Sequence, residues 1–190
     1  MILFIVLLFL NLGNPELDSD VKAQNYIETY KDIAIIEMHR TGIPASITIA
    51  QALHESNLGY SDLAIQAKNH FGIKCKRYWK GHTYYHVDDD KNDQGQLIES
   101  CFRSYDNVLD SYIDHSNFLK SGAHYQSLFT FSKENYVAWA YGLKQAGYAT
   151  DKRYAEKLIM LIERYNLTEL DKANDPFLAL KNKNILNKSE

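Results

Sequence analysis

Apolar and aromatic residues return at three- and four-residue steps over much of this chain, and that period predicts a mainly helical protein. Tyr26, Tyr30, Ile33, Ala34 and Met38 make the first stripe, placing a helix over residues 20–40 that Thr41-Gly42 ends. Pro44 suits the first turn of a second helix, whose stripe Ile47, Ala50, Gln51 and His54 runs toward a glycine cap at Gly59. Ser61 is placed to cap a third helix reaching Lys68. Helical spacing resumes at Val108, Tyr112, Ile113 and Phe118-Leu119, recurs over residues 136–145, and ends over 154–165, where Asp151 is the expected cap.

The period changes between Phe71 and Arg103. Tyr84-Tyr85, Val87, Leu97-Ile98 and Phe102 flank a turn-rich run, 88–95, and predict a β-hairpin lobe inserted into the helical body. The expected fold class is therefore mainly α (α+β), a helical domain with a small β-hairpin lobe. Apolar positions become scattered after about residue 170, so 171–190 read as a C-terminal tail or linker and 19–170 as the globular domain.

Met1 to Leu12 reads MILFIVLLFLNL, the length of a signal-peptide core and too short to span a bilayer as an ordinary helix. Residues 1–18 are read as signal-peptide-like, although no Lys or Arg precedes the apolar block; a buried N-terminal helix is the other reading. The expected location is exported: periplasm, cell envelope or outside, with membrane contact only through that segment if uncleaved. Cys75 and Cys101 flank the polar insert, and an exported chain could join them across its neck; two free buried thiols are the alternative. Charge narrows the partners. With 21 Lys plus Arg against 24 Asp plus Glu and a net charge of -3, the basic footprint of a nucleic-acid binder is missing. A monomer is expected. The 14 Tyr and 8 Phe supply both a core and an aromatic-lined groove.

Glu55 stands out because it ends an otherwise apolar helix at the pole that disfavours a carboxylate. Desolvation by Ile47 and Leu58 would push the same way, toward a protonated acid near neutral pH, the form that can protonate a glycosidic oxygen. An exposed helical Glu is the commoner fate of such a residue. The surrounding text favours the chemical reading. Residues 49–59, IAQALHESNLG, then Ser61-Asp62-Leu63-Ala64 and Lys68-Asn69-His70-Phe71-Gly72-Ile73-Lys74, resemble the glucosaminidase family of bacterial cell-wall hydrolases. Cys101-Phe102-Arg103-Ser104-Tyr105 and the late run Gly147-Tyr148-Ala149-Thr150-Asp151 with Tyr154-Ala155 are similar to further blocks of that family, in the same order.

The resemblance implies a lysozyme-like fold with a groove between body and lobe, peptidoglycan glycan strands as partner, and cleavage of the β-1,4 bond after N-acetylglucosamine. Glu55 would be the general acid, with no metal or organic cofactor. The second acid comes from the lobe, where the family usually has a glutamate and this chain has Asp88-Asp89-Asp90; Asp89 is the first choice and Asp88 the second. A base acting through water stands about 6.5–9.5 Å from the acid and a nucleophile about 5–5.5 Å, while assistance by the substrate's acetamido group would need neither. Tyr148 is expected to hold the acetamido group or orient the attacked carbon, with Tyr154 as second choice. Asn69 and Phe71 are expected on the groove floor, and Trp79 and Tyr84 as sugar-stacking faces. Two other enzyme-like or binding readings compete: a lytic transglycosylase, and a wall-binding module without turnover. An EF-hand loop at Asp90, Asn92, Gln94 and Gly95 fails at its twelfth position, Cys101. His82 and His86, four apart on a strand, lie ~13 Å from each other and do not suit zinc.

Overall fold

The computed structural model describes residues 15–178, so the readings made for 1–14 and for 179–190 lie outside the described residues. Among the described residues, six α-helices and one β-hairpin follow in the order α1 (Pro15–Thr41), α2 (Ala45–Glu55), α3 (Asp62–Gln66), β1 (Thr83–Lys91), β2 (Leu97–Arg103), α4 (Val108–Ser121), α5 (Tyr136–Gln145) and α6 (Tyr154–Arg164). A 3-10 segment, Ala123–Thr130, joins α4 to α5, and a second, Leu167–Lys172, follows α6. The expected boundary at residue 18 falls inside α1. Proline is tolerated in a helix's first turn, where its missing N–H would lack a partner, and Glu16 and Asp18 complement the helix dipole there.

Helix α2 is the centre of the body. Every residue from Ala45 to Leu53 is buried, which is why its sequence is apolar on all sides instead of on one stripe. Ile47, Ile49 and Leu53 each contribute roughly 1.5–3 kcal/mol by leaving water. Around α2 pack α1, α5, α6 and the C-terminal 3-10 turn. That turn corrects the expected tail boundary: Asp171 accepts a hydrogen bond from the Ser46 backbone N–H at 2.9 Å, and His39 Nε2 bonds the Ala173 carbonyl at 2.9 Å. The polar run after residue 170 is thus anchored by side-chain to backbone contacts that no apolar period signals.

The lobe is an antiparallel pair with Thr83 opposite Arg103, Tyr85 opposite Cys101 and Val87 opposite Glu99. Pairing resumes at Lys91 opposite Leu97, so residues 88–90 oppose Ile98 alone and form a bulge. The acidic run expected as a turn therefore lies within β1; the turn proper is built on Asn92, whose Oδ1 accepts the N–H groups of Gln94 and Gln96 at 3.0 Å. Lys74 bridges to Phe102, and Cys75 N–H donates to the Cys101 carbonyl at 2.8 Å, laying a short third edge along β2. A disulfide joins Cys75 and Cys101 with their Cα atoms 5.3 Å apart. Arg103 fixes the base of the lobe to α4: it is buried, bonds both oxygens of Asp114 at 2.8 and 2.7 Å, and carries the Trp79 ring 4.6 Å from its guanidinium carbon.

Two predicted helix ends differ. Helix α3 stops at Gln66, and Lys68 takes a left-handed backbone conformation, φ 53°. Asp151 does not cap α6 directly; its Oδ1 accepts from Arg153 N–H at 2.9 Å and its Oδ2 pairs with Lys157 at 2.6 Å.

Candidate active site

Glu55 is the last residue of α2, and the chain leaves it through a turn that local sequence dictates. Asn57, Leu58 and Gly59 take positive φ values of 49°, 59° and 86° in succession. Ser56 Oγ accepts from Gly59 N–H at 2.7 Å, and Leu58 N–H returns to the Leu53 carbonyl at 2.9 Å. Gly59 is required there twice over: its φ is left-handed, and a Cβ would stand 3.0 Å from the Tyr26 ring. The tight turn leaves Glu55 half-buried at the wall of a cleft of about 780 Å³ between the helical body and the lobe.

Desolvation raises the Glu55 pKa to about 7, opposed by the neighbouring Tyr154 hydroxyl and by the positive charge of Lys157, and assisted by the negative charge of Asp88. Gln51, one turn earlier on α2, donates from Nε2 to the Tyr154 oxygen at 2.9 Å. The Tyr148 ring stacks on Tyr154, centroids 5.6 Å apart, and burial raises both phenols well above the usual range. Across the cleft, Lys74 pairs with Asp88 at 2.9 Å and with Asp90 at 2.6 Å. Burial works against the Lys74 charge, but its bonds to Asp90 and Asp88 outweigh it and raise the lysine's pKa.

The cleft brings together Glu55, Asp88, Phe71, Tyr148 and Tyr154. Asp89 lies next to Asp88 in β1. Three expected sugar contacts fall elsewhere. Asn69 is buried beneath the floor, where Nδ2 donates to the carbonyls of Ile73 and Arg103 at 3.0 and 2.8 Å and Oδ1 accepts from Ile73 N–H at 3.1 Å. Both ends of its amide are spent on shaping the 69–73 loop. Trp79 is pinned under the lobe by Arg103 and by its own bond to the His82 carbonyl at 2.9 Å, and Tyr84 stacks on His86 outside the cleft lining. Tyr78, next to Trp79, takes the wall position instead, its hydroxyl accepting from Arg103 Nη2 at 3.2 Å. His54, Lys76, His124 and Tyr125 complete parts of the lining; of these only His54 belonged to a sequence pattern, as a helix-stripe position and not as a site residue. They come from three separate segments, so their convergence is a property of the fold. The residues of the competing calcium loop are likewise divided: Asp90 is strand-bound to Lys74, and Asn92 is spent on the hairpin turn. Among the described residues no group of three or more His, Cys, Asp or Glu is arranged to hold a metal ion.

A helical body, a small β lobe and a carboxyl group with a raised pKa in the cleft between them define a glycosidase-like class of protein. Residues 31–167 match the family model for glucosaminidase, described as mannosyl-glycoprotein endo-beta-N-acetylglucosaminidase, and the chain belongs to that family. It is 34% identical over 155 residues to the exo-glucosaminidase LytG of Bacillus subtilis, covering 80% of this chain and 54% of LytG. It is 29% identical to the peptidoglycan hydrolase FlgJ of Escherichia coli, covering 69% of this chain and 43% of FlgJ. The chain spans about half the length of these relatives. Among solved structures, the catalytic domain of the autolysin Auto from Listeria monocytogenes superposes with a TM-score of 0.66 at 29% identity, covering 84% of this chain and 99% of that one. A mutant peptidoglycan hydrolase from Sphingomonas sp. A1 gives 0.66 at 25% identity, covering 77% and 97%. The lysozyme-like reading of the fold agrees with these neighbours.

Proposed function

We propose that this protein hydrolyses the β-1,4 bond after N-acetylglucosamine in peptidoglycan, with Glu55 as general acid. The observation that carries the reading is a carboxyl group whose pKa is raised to about 7 at the wall of a cleft open to a polymer strand. In that state Glu55 holds a proton near neutral pH and delivers it to the leaving glycosidic oxygen as the bond breaks. Asp88 is the second acid: it lines the same cleft and is near enough for its charge to act on Glu55. Its part is to take a proton from the attacking water, and Lys74 holds it in place. Tyr148 orients the acetamido-bearing sugar, and Phe71 and Tyr78 offer apolar ring surface to the strand. Proton transfers by carboxyl groups suffice for this chemistry. Work on a wall polymer places the protein at the cell envelope or beyond, and among the described residues no helix is long and apolar enough to cross a membrane.

Residues 15–178 incubated with purified peptidoglycan are expected to release fragments that end in reducing N-acetylglucosamine, read by borohydride reduction and mass spectrometry. Glu55→Gln should reduce release by at least about 10³-fold, the order expected when an acid catalyst is removed. Anhydro-muramic ends would replace this reading with a transglycosylase. No products from a folded protein that still binds the polymer would leave a wall-binding module. Asp88→Asn should fall by about 10²-fold or more while Asp89→Asn stays near wild type; the reverse result moves the second role to Asp89.

A further inference from the structure

Tyr78 is 67% exposed on the cleft wall, yet its hydroxyl is tied to the buried base of the lobe. Arg103 Nη2 donates to the Tyr78 oxygen at 3.2 Å, and the guanidinium carbon stands 5.5 Å from the centre of the Tyr78 ring. A guanidinium has five N–H donors and no acceptor, so the phenol can only accept from it. The phenolic hydrogen therefore points elsewhere, and among the described residues it meets no acceptor. The cation behind it is itself fixed. Arg103 Nη1 bonds both oxygens of Asp114 at 2.8 and 2.7 Å, and the Tyr105 hydroxyl donates to Asp114 Oδ2 at 2.6 Å. The loop that carries Tyr78 is held as firmly. Its neighbour Trp79 donates from Nε1 to the His82 carbonyl at 2.9 Å and packs so closely that a Cβ on Gly81 would stand 2.4 Å from the indole ring.

We propose that Tyr78 is a specificity-determining contact of the cleft: it donates its phenolic hydrogen to a carbonyl or hydroxyl oxygen of the glycan strand, and Arg103, fixed by Asp114, is the positioning residue that turns this donor outward. Ring surface alone would be supplied equally well by Phe, which could make no bond to Arg103. The guanidinium also polarises the hydroxyl it bonds and so makes it a stronger donor. Because the side chain is held before the strand arrives, little freedom is lost on binding. The inference rests on the reading of the cleft as the seat of a glycan strand.

Its test titrates short peptide-free glycan strands of peptidoglycan into Glu55→Gln by calorimetry, with that change alone and combined with Tyr78→Phe, Tyr78→Ala, Arg103→Lys, or Tyr78→Phe plus Arg103→Lys. Tyr78→Phe should weaken binding by about 3- to 10-fold, the range of one hydrogen bond. In the protein that keeps Glu55, the same change should raise KM by more than it lowers kcat. Arg103→Lys should also weaken binding, since an ammonium does not reproduce the planar fork that reaches Asp114 and Tyr78 together. Once Tyr78 is Phe, Arg103→Lys should add no further loss, a non-additivity that a merely structural role would not produce. Tyr78→Phe alters an exposed side chain, so it decides the matter even if Arg103→Lys fails to fold. Full affinity in Tyr78→Phe with loss only in Tyr78→Ala would reduce Tyr78 to ring surface and overturn the proposal. Equal losses from Arg103→Lys with and without the Tyr78 hydroxyl would overturn the positioning role. Strands that bind with the expected losses but are not cleaved by the protein with Glu55 would sink the hydrolase reading and leave the donor standing.

Discussion

Glu55 is held against its own chemistry, and that has a cost that can be measured without any substrate. Below pH 4.5 the group is protonated in both the folded and the unfolded chain. Between 4.5 and about 7 the unfolded chain releases the proton first, so the folded state loses stability as pH rises, and above about 7 the whole difference has been lost. At 1.36 kcal/mol per unit this amounts to at most about 3 kcal/mol. Gln in the same place is neutral and nearly the same size. Glu55→Gln should therefore melt close to wild type at pH 4.5 and several degrees higher at pH 8, as read by calorimetry. Burial lowers the pKa of His70 to about 4 and of His115 to about 3, so these two withdraw stability in the opposite direction, as pH falls below 6.5. Both are present in each protein, so the difference isolates Glu55. A melting gap that does not widen with pH would mean the carboxyl is solvated and the cleft wall is wetter than its geometry says.

Elements, more than single residues, decide what a pattern of apolar positions can reveal. The stripe in α1 was legible because that helix buries one face against its neighbours, and burial writes its period into the chain; the hairpin was legible from its aromatic and β-branched runs around a turn-rich stretch. Helix α2 was legible for a different reason, through the motif around Glu55. Less visible was the bulge at residues 88–90: it turns three acidic residues into strand positions, and a run of Asp reads as turn by composition. Asn69 misled for a related reason, because a buried amide that holds a loop has the same letter as one that holds a sugar. The disulfide at the neck of the lobe closes 26 residues of sequence and contributes about 3 kcal/mol through loop entropy. Reduction, or Cys75→Ser with Cys101→Ser, should loosen the lobe before the body. Amide exchange in β1 and β2 should quicken while α2 stays protected, and product release should fall as Asp88 loses its fixed place. Uniform loss of protection across both parts would show that lobe and body unfold as one unit.

At the scale of the molecule, Glu55 depends on chain segments far from it in sequence. The C-terminal end of α2 is held by Tyr154, 103 residues from Gln51, and the N-terminal end by Asp171, 125 residues from Ser46. Pro44 precedes α2 with no side-chain cap of its own, so the Ser46 N–H of that buried first turn takes its carboxylate from the far end of the fold. That carboxylate also suits the positive pole of the helix. No local pattern could announce this, because the two partners share no period and lie in stretches that look independent. Asp171→Ala should cost about 1–2 kcal/mol, the usual loss of an N-cap, seen as a lower denaturation midpoint with an unchanged slope in urea. Ending the chain after residue 170 should cost at least as much, since the His39 bond to Ala173 goes with it. Both changes should also lower product release at temperatures where the protein is still folded, because a frayed α2 no longer sets Glu55 against Tyr154. If the shortened chain kept the full midpoint and full activity, the cap would be dispensable and helix α2 would be held by apolar packing alone.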